Sequence, residues 1–314
     1  MNKPILISII VIGLLLILGL IASIVYVATE SERQGVSHSR ENMTHKLNDK
    51  NSPEEVYSFM EEAAQAAKDD GEAEAAAGIL EAMRPLSRGF ADKKQYIECS
   101  NKLGTIYLED QNRPGSAQRL FKEVLELRKK DSGDKVTKDI ADTLLNLGAA
   151  KCENGTYAEA LKDLEAALKA AQGLGEKELI ARCRYRMADV LMYQEKWEEA
   201  EQHSQESLKI YEKDPQLGDK EDLAKAYQQI GFCRLQMSQP DKAVVALEKA
   251  QEYYKEAGKK DLDVIEDLKD LGWVELSLGR REKAREYFQR VMTAASENSD
   301  EKTTSAVGYV LKRL

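Results

Sequence analysis

The chain offers few residues of the type and spacing that catalysis or metal binding requires. Of the three histidines, His38 and His45 lie seven residues apart without acidic or cysteine partners at ligand spacing. His203 has neither a cysteine nucleophile nor an HExxH-type neighbour. Gly173 and Gly175 lack the further glycine and the lysine of a phosphate-binding loop. We therefore predict no catalytic residue, no metal site, no cofactor and no enzymatic activity.

A recurring register of small and aromatic residues organises the rest of the sequence. Leu147 and Gly148 are followed by Gly155, Tyr157 and Ala160, and the same order returns further along the chain. The small residue that opens each repeat lies at positions 64, 104, 148, 188, 231 and 272, so the period is 40 to 44 residues. A fixed period of roughly 20 to 50 residues is typical of a solenoid of stacked repeats.

Each repeat has the pattern of two amphipathic helices joined by a tight turn. The small residue of the first helix and an alanine of the second fall where the helices cross, because a larger side chain would push the axes beyond about 8–10 Å. Gly71, Gly155 and Gly279 fall just after a helix, where glycine adopts the left-handed backbone easily. Pro240 falls at a predicted helix start, where proline loses no hydrogen bond. The sequence therefore predicts an all-α stack of helix pairs.

The register is carried by Leu147, Gly148, Tyr157, Ala160, Ala167, Met187, Ala188, Trp197, Ala200, Ile230, Gly231, Ala243, Ala250, Leu271, Gly272, Ala284 and Phe288. With these residues the chain resembles the tetratricopeptide-repeat family over roughly 53–297. The usual repeat of that family has about 34 residues, so the longer variants in kinesin light chains and bacterial peptide-receptor regulators are more similar. The resemblance implies a right-handed α-solenoid of about six helix pairs that binds a protein or peptide in its concave groove.

The sequence divides into a tail (1–4), a transmembrane helix (5–28), a flexible linker (29–52), the solenoid (53–297) and a C-terminal capping helix (298–314). Residues 5–28 contain no charged side chain. This run exceeds the ~20 apolar residues that cross a bilayer and the ~7–15 of a signal-peptide core. We therefore predict an uncleaved, single-pass membrane anchor. In the capping helix, we expect Tyr309, Val310 and Leu311 to cover the last helix pair.

The side of the membrane that the solenoid faces stays open. Lys3 precedes the apolar span, and Arg33 and Arg40 follow it, so the basic residues on the two sides nearly balance. Lys3 in the short tail favours a cytoplasmic N-terminus and an extracytoplasmic solenoid.

The cysteines favour the opposite orientation, with the solenoid in a reducing compartment. Cys152 and Cys183 fall on neighbouring first helices but differ by nine residues of helical rise, about 13 Å, which is too far for a disulfide. No disulfide framework can be derived from the sequence, and free thiols suit a reducing compartment.

The predicted binding surface lies on the first helices of the fourth, fifth and sixth repeats. Residues three before, one after and five after each small anchor share an exposed stripe, which in this family lines the groove. The predicted partner-binding residues are Arg182, Tyr185, Asp189, Gln228, Phe232, Lys269 and Trp273, with Tyr193, Gln236 and Ser277 on the same stripe. Aromatic side chains among hydrogen-bonding ones have the composition of a protein-binding hot spot. The alternative is that Phe232 and Trp273 pack between neighbouring repeats.

A more specialised role is only partly supported. In the chaperone-binding subclass of the family, lysines and asparagines clamp a C-terminal carboxylate. Asn101 and Lys102 match that clamp locally, but Leu145, Ala149 and Phe232 stand where it would continue.

These features together favour a membrane-anchored scaffold or adaptor that binds another protein or peptide in its groove. The alternative function is a ligand- or peptide-sensing receptor, in which groove occupancy changes the curvature of the superhelix. The formal net charge of −9 argues against a nucleic-acid partner, since such a protein would track phosphates with a basic surface.

Overall fold

The computed structural model describes residues 52–90, 92–133, 135–261 and 264–314. All regular secondary structure within these ranges is α-helical, as the sequence predicts. The predicted anchor at 5–28 and nearly all of the predicted linker lie outside the described residues. Among the helices that are described, none is both long and apolar enough to cross a membrane.

The described part of the chain forms thirteen helices: α1 (Pro53–Asp69), α2 (Ala73–Arg88), α3 (Lys94–Glu109), α4 (Pro114–Ser132), α5 (Lys138–Glu153), α6 (Tyr157–Leu174), α7 (Lys177–Tyr193), α8 (Trp197–Lys213), α9 (Lys220–Gln236), α10 (Pro240–Glu256), α11 (Ile265–Ser277), α12 (Arg281–Glu297) and α13 (Glu301–Leu311). They follow one another as first and second helices of six repeats, with α13 after the last. The chain divides into a first unit that ends at Gln111 and a second that begins at Asn112.

Local signals in the sequence fix where several helices begin and end. The Ser52 hydroxyl accepts a hydrogen bond from the Glu55 amide at 3.2 Å, and the Glu55 carboxylate accepts one from the Ser52 amide at 2.8 Å. This capping box satisfies two amides at the start of α1. Pro240 is the first residue of α10. Gly155 and Gly279 have φ of 73° and 75°, so the predicted left-handed turns are confirmed.

In the first unit, α2 packs against both α1 and α3. Its core contains Tyr57, Met60, Leu80 and Met83, each at most 9% exposed. The Tyr57 hydroxyl reaches across to α3 and donates a hydrogen bond to the Gln95 carbonyl at 2.9 Å. The buried side chains of α1 and α2 are therefore tied to the start of the third helix.

In the second unit, each helix packs against its neighbours in the chain, and α7 also packs directly against α5 and α9. A Cβ atom at Gly148 would lie 2.6 Å from the Leu164 side chain, and one at Gly231 would lie 2.6 Å from that of Leu247. A Cβ at Gly272 would lie 2.8 Å from the ring of Phe288. The predicted helix crossings are confirmed at these three positions.

The capping helix covers the last pair with two of the three predicted residues, Val310 and Leu311, but not with Tyr309. Val307 of α13 is buried in the core cluster that includes Phe288, and Val310 and Leu311 are packed against it. Tyr309 is 56% exposed, with its ring under the Arg313 guanidinium. The prediction for Tyr309 was wrong because a helix turns about 100° per residue, which places it off the stripe formed by 307, 310 and 311.

Candidate functional site

The predicted site residues lie on three first helices of the second unit. Arg182, Tyr185 and Asp189 are on α7, Gln228 and Phe232 on α9, and Lys269 and Trp273 on α11. We call these seven residues, with Tyr193, the inner face. Their role in binding stays a prediction, but the structure shows what each of them contacts.

The inner face is connected to α5 by an ion pair. The Arg182 guanidinium lies 3.0 Å from the Asp142 carboxylate, and both side chains are partly exposed. The two residues are 40 positions apart, which is one repeat. Arg182 therefore joins two neighbouring first helices before any partner is present.

Asp189 lies in a hydrogen-bonded cluster between α7 and α9. The Gln229 side-chain amide donates to the Asp189 carboxylate at 2.5 Å and to the Tyr185 carbonyl at 3.3 Å. Its oxygen accepts from the Ser204 hydroxyl at 2.8 Å, so the buried Gln229 side chain is hydrogen-bonded at both ends. Burial raises the pKa of Asp189, although Arg186 at 3.4 Å and the amide of Gln229 oppose the shift.

A second cluster joins α9 to α11. The Gln228 side-chain amide donates to the Asp267 carboxylate, and its oxygen accepts from the Tyr254 hydroxyl at 3.1 Å. Asp267 is 6% exposed. Burial raises its pKa to about 6, and the nearby charges of Asp270 and Glu266 act in the same direction. This cluster fixes the amide of Gln228, which is one of the predicted site residues.

Three side-chain contacts therefore repeat at the spacing of the solenoid. Asp142 and Arg182, as well as Asp189 and Gln229, are 40 residues apart, and Gln228 and Asp267 are 39 apart. Gln229 and Asp267 were not among the predicted site residues. The spacing of one repeat could have predicted both residues, because polar residues one repeat apart on neighbouring first helices can contact each other.

The predicted aromatic residues combine packing with exposure. Phe232 meets Trp197 edge to face, with ring centroids 5.9 Å apart, and is half-buried. Trp273 meets Phe288 edge to face at 5.1 Å, yet 50% of Trp273 is exposed. The structure therefore agrees with packing and with binding. Phe232 and Trp273 each pack against an aromatic ring of another helix, and Trp273 also presents a large apolar surface to solvent.

Lys269 completes the inner face on α11. Its ammonium lies 2.7 Å from the carboxylate of Glu266, one turn earlier on the same helix. Lys269 is therefore held by an internal ion pair, as Arg182 is.

The equivalent face of the first unit has a different character. A pocket of about 120 Å³ lies between α1 and α3, lined by Glu61, Ala64, Gln65, Lys68, Leu80, Asn101, Lys102, Thr105 and Ile106. Lys102 pairs with Glu61 at 2.6 Å, and the side-chain oxygen of Asn101 is buried without a hydrogen-bond partner among the described residues. Asn101 and Lys102, which match the carboxylate clamp locally, thus line one pocket.

The four cysteines are buried side chains that pack within the helix pairs. Cys99, Cys152, Cys183 and Cys233 lie on α3, α5, α7 and α9, and all four are free and buried. Burial raises the pKa of each thiol to about 12, so each is protonated at neutral pH. Within the described ranges, no group of three or more His, Cys, Asp or Glu side chains is placed to hold a metal ion.

Helix pairs that pack in chain order, with a close-packed glycine at three of the crossings, define a helical-repeat protein of the solenoid class. The sequence shows the particular family, since residues 139–213 and 222–297 match the tetratricopeptide repeat. These two segments span α5 to α8 and α9 to α12. This part of the chain belongs to the tetratricopeptide-repeat family.

Several solved structures have a similar fold. A Rap protein complexed with competence and sporulation factor is 14% identical, with a TM-score of 0.64 over 87% of this chain and 78% of that chain. Aspartyl phosphate phosphatase F from Bacillus subtilis is 16% identical, with a TM-score of 0.61 over 83% and 70%. A putative kinesin light chain repeat protein of P. anserina is 14% identical, with a TM-score of 0.53 over 68% and 100%. No curated protein sequence matches the chain significantly.

Proposed function

We propose that the protein is a scaffold or adaptor that binds a segment of another protein on the inner face. The observation that carries this proposal is Trp273, a large aromatic side chain that is 50% exposed beside polar groups fixed by internal bonds. Aromatic anchors of this kind dominate the binding energy of many protein interfaces. Because Gln228 and Asp189 are already ordered, binding costs little further side-chain entropy.

The proposal assigns the chain a binding role and no catalytic step. The thiols, which would be the strongest nucleophiles, are buried and protonated. The carboxylates of Asp189, which is partly buried, and Asp267, which is buried, each accept a hydrogen bond from a glutamine, which holds them within the inter-helix contacts.

We also propose that residues 5–28 anchor the protein in a membrane, with the solenoid on the extracytoplasmic side. The uncharged apolar run supports the anchor, and Lys3 supports the orientation. The N-terminal sequence of the native protein should begin before Ile5; a start beyond Ala28 would exclude an anchor. Protease added to sealed membranes should digest the solenoid only if it faces the outside of the vesicle.

A second candidate function is a receptor that changes shape when its groove is occupied. Two observations favour it: a protein of the same fold is known in complex with competence and sporulation factor, and side-chain bonds here join successive first helices. A ligand that competed for those bonds would alter helix packing. Small-angle scattering with and without the partner distinguishes the candidates, because only a receptor changes its scattering profile beyond the added mass.

The scaffold proposal is tested by pairing a stability measurement with a binding measurement. In Trp273→Ala we expect loss of the copurifying partner with a thermal midpoint close to that of the wild type, since the side chain is half exposed. Phe232→Ala should lose the partner and also lower the midpoint, because Phe232 packs on Trp197. Tyr309→Ala is the matched control, since Tyr309 is equally exposed but lies on α13.

The outcomes separate binding from packing. Partner retained by Trp273→Ala would place the binding surface elsewhere. A lowered midpoint with the partner retained in both variants would mean that these aromatic residues serve the core.

A further inference from the structure

One exposed stripe runs along the whole length of α11. Glu266, Asp270, Trp273 and Ser277 are exposed, whereas the residues between them are partly or fully buried. Their spacing of four, three and four residues places them on one face of the helix, over about 17 Å. On α7 and α9, the residues at the first three of these register positions are partly or fully buried. We call the four exposed residues the α11 stripe.

Negative charge is in excess along the α11 stripe. Lys269 is the one basic residue of α11, and its ammonium pairs with Glu266 at 2.7 Å. Within the described part of the chain, Asp270 and Asp267 form no ion pair, and Asp267 accepts its hydrogen bond from the neutral amide of Gln228. Burial and the charge of Glu266 raise the pKa of Asp270, although Lys269 opposes the shift. A positive charge brought by a partner would therefore find a carboxylate without a counter-ion.

Two carboxylates on the preceding first helices do have basic partners. Asp142 of α5 lies 3.0 Å from Arg182, and Asp189 of α7 lies 3.4 Å from Arg186. A cation of a partner would have to compete with these internal arginines. The uncompensated charge is therefore a local property of α11, and it complements a positively charged segment.

An exposed aromatic ring lies next to this charge. Trp273 is 50% exposed and contacts the ring of Phe288 edge to face. Asp270 precedes Trp273 by three residues, so their Cβ atoms lie about 5–6 Å apart on the helix surface. An arginine guanidinium is planar, pairs with a carboxylate and stacks on an aromatic ring. Asp270 and Trp273 thus offer both contacts to a single arginine side chain.

We propose that the α11 stripe binds a basic segment of the partner protein, in which an arginine guanidinium pairs with the Asp270 carboxylate and stacks on the Trp273 ring. Charge complementarity selects this occupant, because an acidic segment would be repelled and an uncharged one would leave Asp270 without a counter-ion. The inference rests on the proposed binding function, since it names the class of segment that the inner face receives.

The first test measures binding of synthetic peptides to the purified full chain. The probe is a labelled peptide of glycine and serine that contains two arginines, and it should bind saturably in fluorescence anisotropy. The control peptide carries citrulline in place of each arginine, which keeps the shape of the side chain and removes its charge. We expect the control to bind about tenfold more weakly, because the ion pair and the cation–π contact are both lost. High salt should weaken binding of the arginine peptide, since it screens exposed charges.

Variants then assign the peptide to the α11 stripe. Trp273→Ala should weaken binding by at least about tenfold, as expected for an aromatic anchor. Asp270→Asn should weaken it by about fivefold and remove most of the salt dependence, with a thermal midpoint close to that of the wild type because Asp270 is exposed. Glu286→Gln is the matched control for charge, since Glu286 is exposed on α12, and Tyr309→Ala is the control for an exposed ring. Both controls should bind like the wild type.

Several results would overturn the proposal. They are the absence of saturable binding, equal binding of the arginine and citrulline peptides, and an affinity of Asp270→Asn equal to that of Glu286→Gln. Self-association of the wild type that Trp273→Ala abolishes would also overturn it, because a second copy would then cover the stripe.

A competition experiment separates this inference from the function on which it rests. If Trp273→Ala loses the native partner, but Asp270→Asn keeps it and excess arginine peptide does not displace it, the binding function stands and the basic segment is wrong. If Trp273→Ala retains the partner, the proposed function itself fails. Displacement of the partner by the arginine peptide but not by the citrulline peptide supports both.

Discussion

The first helices of the second unit have two faces that differ in how closely they are packed. On the crossing face, Gly148, Gly231 and Gly272 meet a side chain of the second helix so closely that an added Cβ would lie 2.6–2.8 Å from it. On the inner face, Trp273 and Tyr193 are 50% and 55% exposed. The first face has no space for another atom, whereas the second leaves about half of each of these two aromatic side chains exposed to solvent.

The difference separates the two properties that a binding solenoid needs. Close packing at the crossings sets the geometry of each helix pair, so a change there should appear in stability. The polar contacts of the inner face align neighbouring first helices and leave the aromatic rings available, so a change there should appear chiefly in binding. The predictions below test this separation, in order of decreasing effect on stability.

The largest effect on stability is expected at a crossing. Gly148→Leu should lower the free energy of unfolding by about 1–3 kcal/mol, because the new side chain overlaps Leu164. Gly173→Leu is the matched control: Gly173 is also helical, but a Cβ there meets nothing within 4 Å. That variant should be as stable as the wild type or more so, since leucine favours the helix more than glycine does. Equal effects in chemical denaturation would contradict the account of the crossing.

The next effect concerns the pH dependence of stability at Asp267. Its pKa in the folded chain is raised from 3.8 to about 6, so the folded state binds the proton more tightly than the unfolded state does. This contribution is therefore complete below about pH 4 and is lost as the pH rises through 6. Between pH 4 and pH 7 the wild type should lose roughly 2 kcal/mol relative to Asp267→Asn.

A control with the opposite sign is available at Asp300. Hydrogen bonds from the side chain and the backbone amide of Thr303 hold the pKa of Asp300 below the usual value, so its contribution is lost as the pH falls. The difference between the wild type and Asp300→Asn should therefore grow with rising pH. Parallel pH profiles for the wild type and Asp267→Asn would show that this carboxylate is not held as described.

The smallest effect is expected for the ion pair between Arg182 and Asp142. Both side chains are partly exposed, so Arg182→Ala should lower the free energy of unfolding by at most about 1 kcal/mol. High salt should remove most of that difference, because it screens exposed charges. A loss well above 1 kcal/mol that persists in high salt would mean that Arg182 serves the core of the repeats.

The features that sequence could predict are those set by neighbours in the chain. The turn glycines, Pro240 at a helix start and the capping box of Ser52 depend on a few consecutive residues. The crossing at Gly148 follows from the repeat register, because the same two register positions meet at Gly148, Gly231 and Gly272.

The features that sequence could not settle depend on side chains of different repeats. Gln229 lies beside the predicted stripe, and nothing in its local sequence distinguishes a solvent-facing amide from one bonded to Asp189. The raised pKa of Asp267 depends on burial by the preceding pair, which periodicity does not quantify. The exposure of Trp273 likewise could not be predicted, since a residue at this register position can either pack between repeats or face solvent.

The central claim, that a partner binds the inner face, is tested most directly by site-specific photo-crosslinking. Benzoylphenylalanine is placed in turn at Trp273 and Tyr193 of the inner face, and at Val245 and Tyr309, which are 55% and 56% exposed elsewhere in the second unit. The account predicts crosslinks to the partner from positions 273 and 193 and none from 245 and 309. Crosslinks from Val245 or Tyr309 with none from the inner face would contradict it.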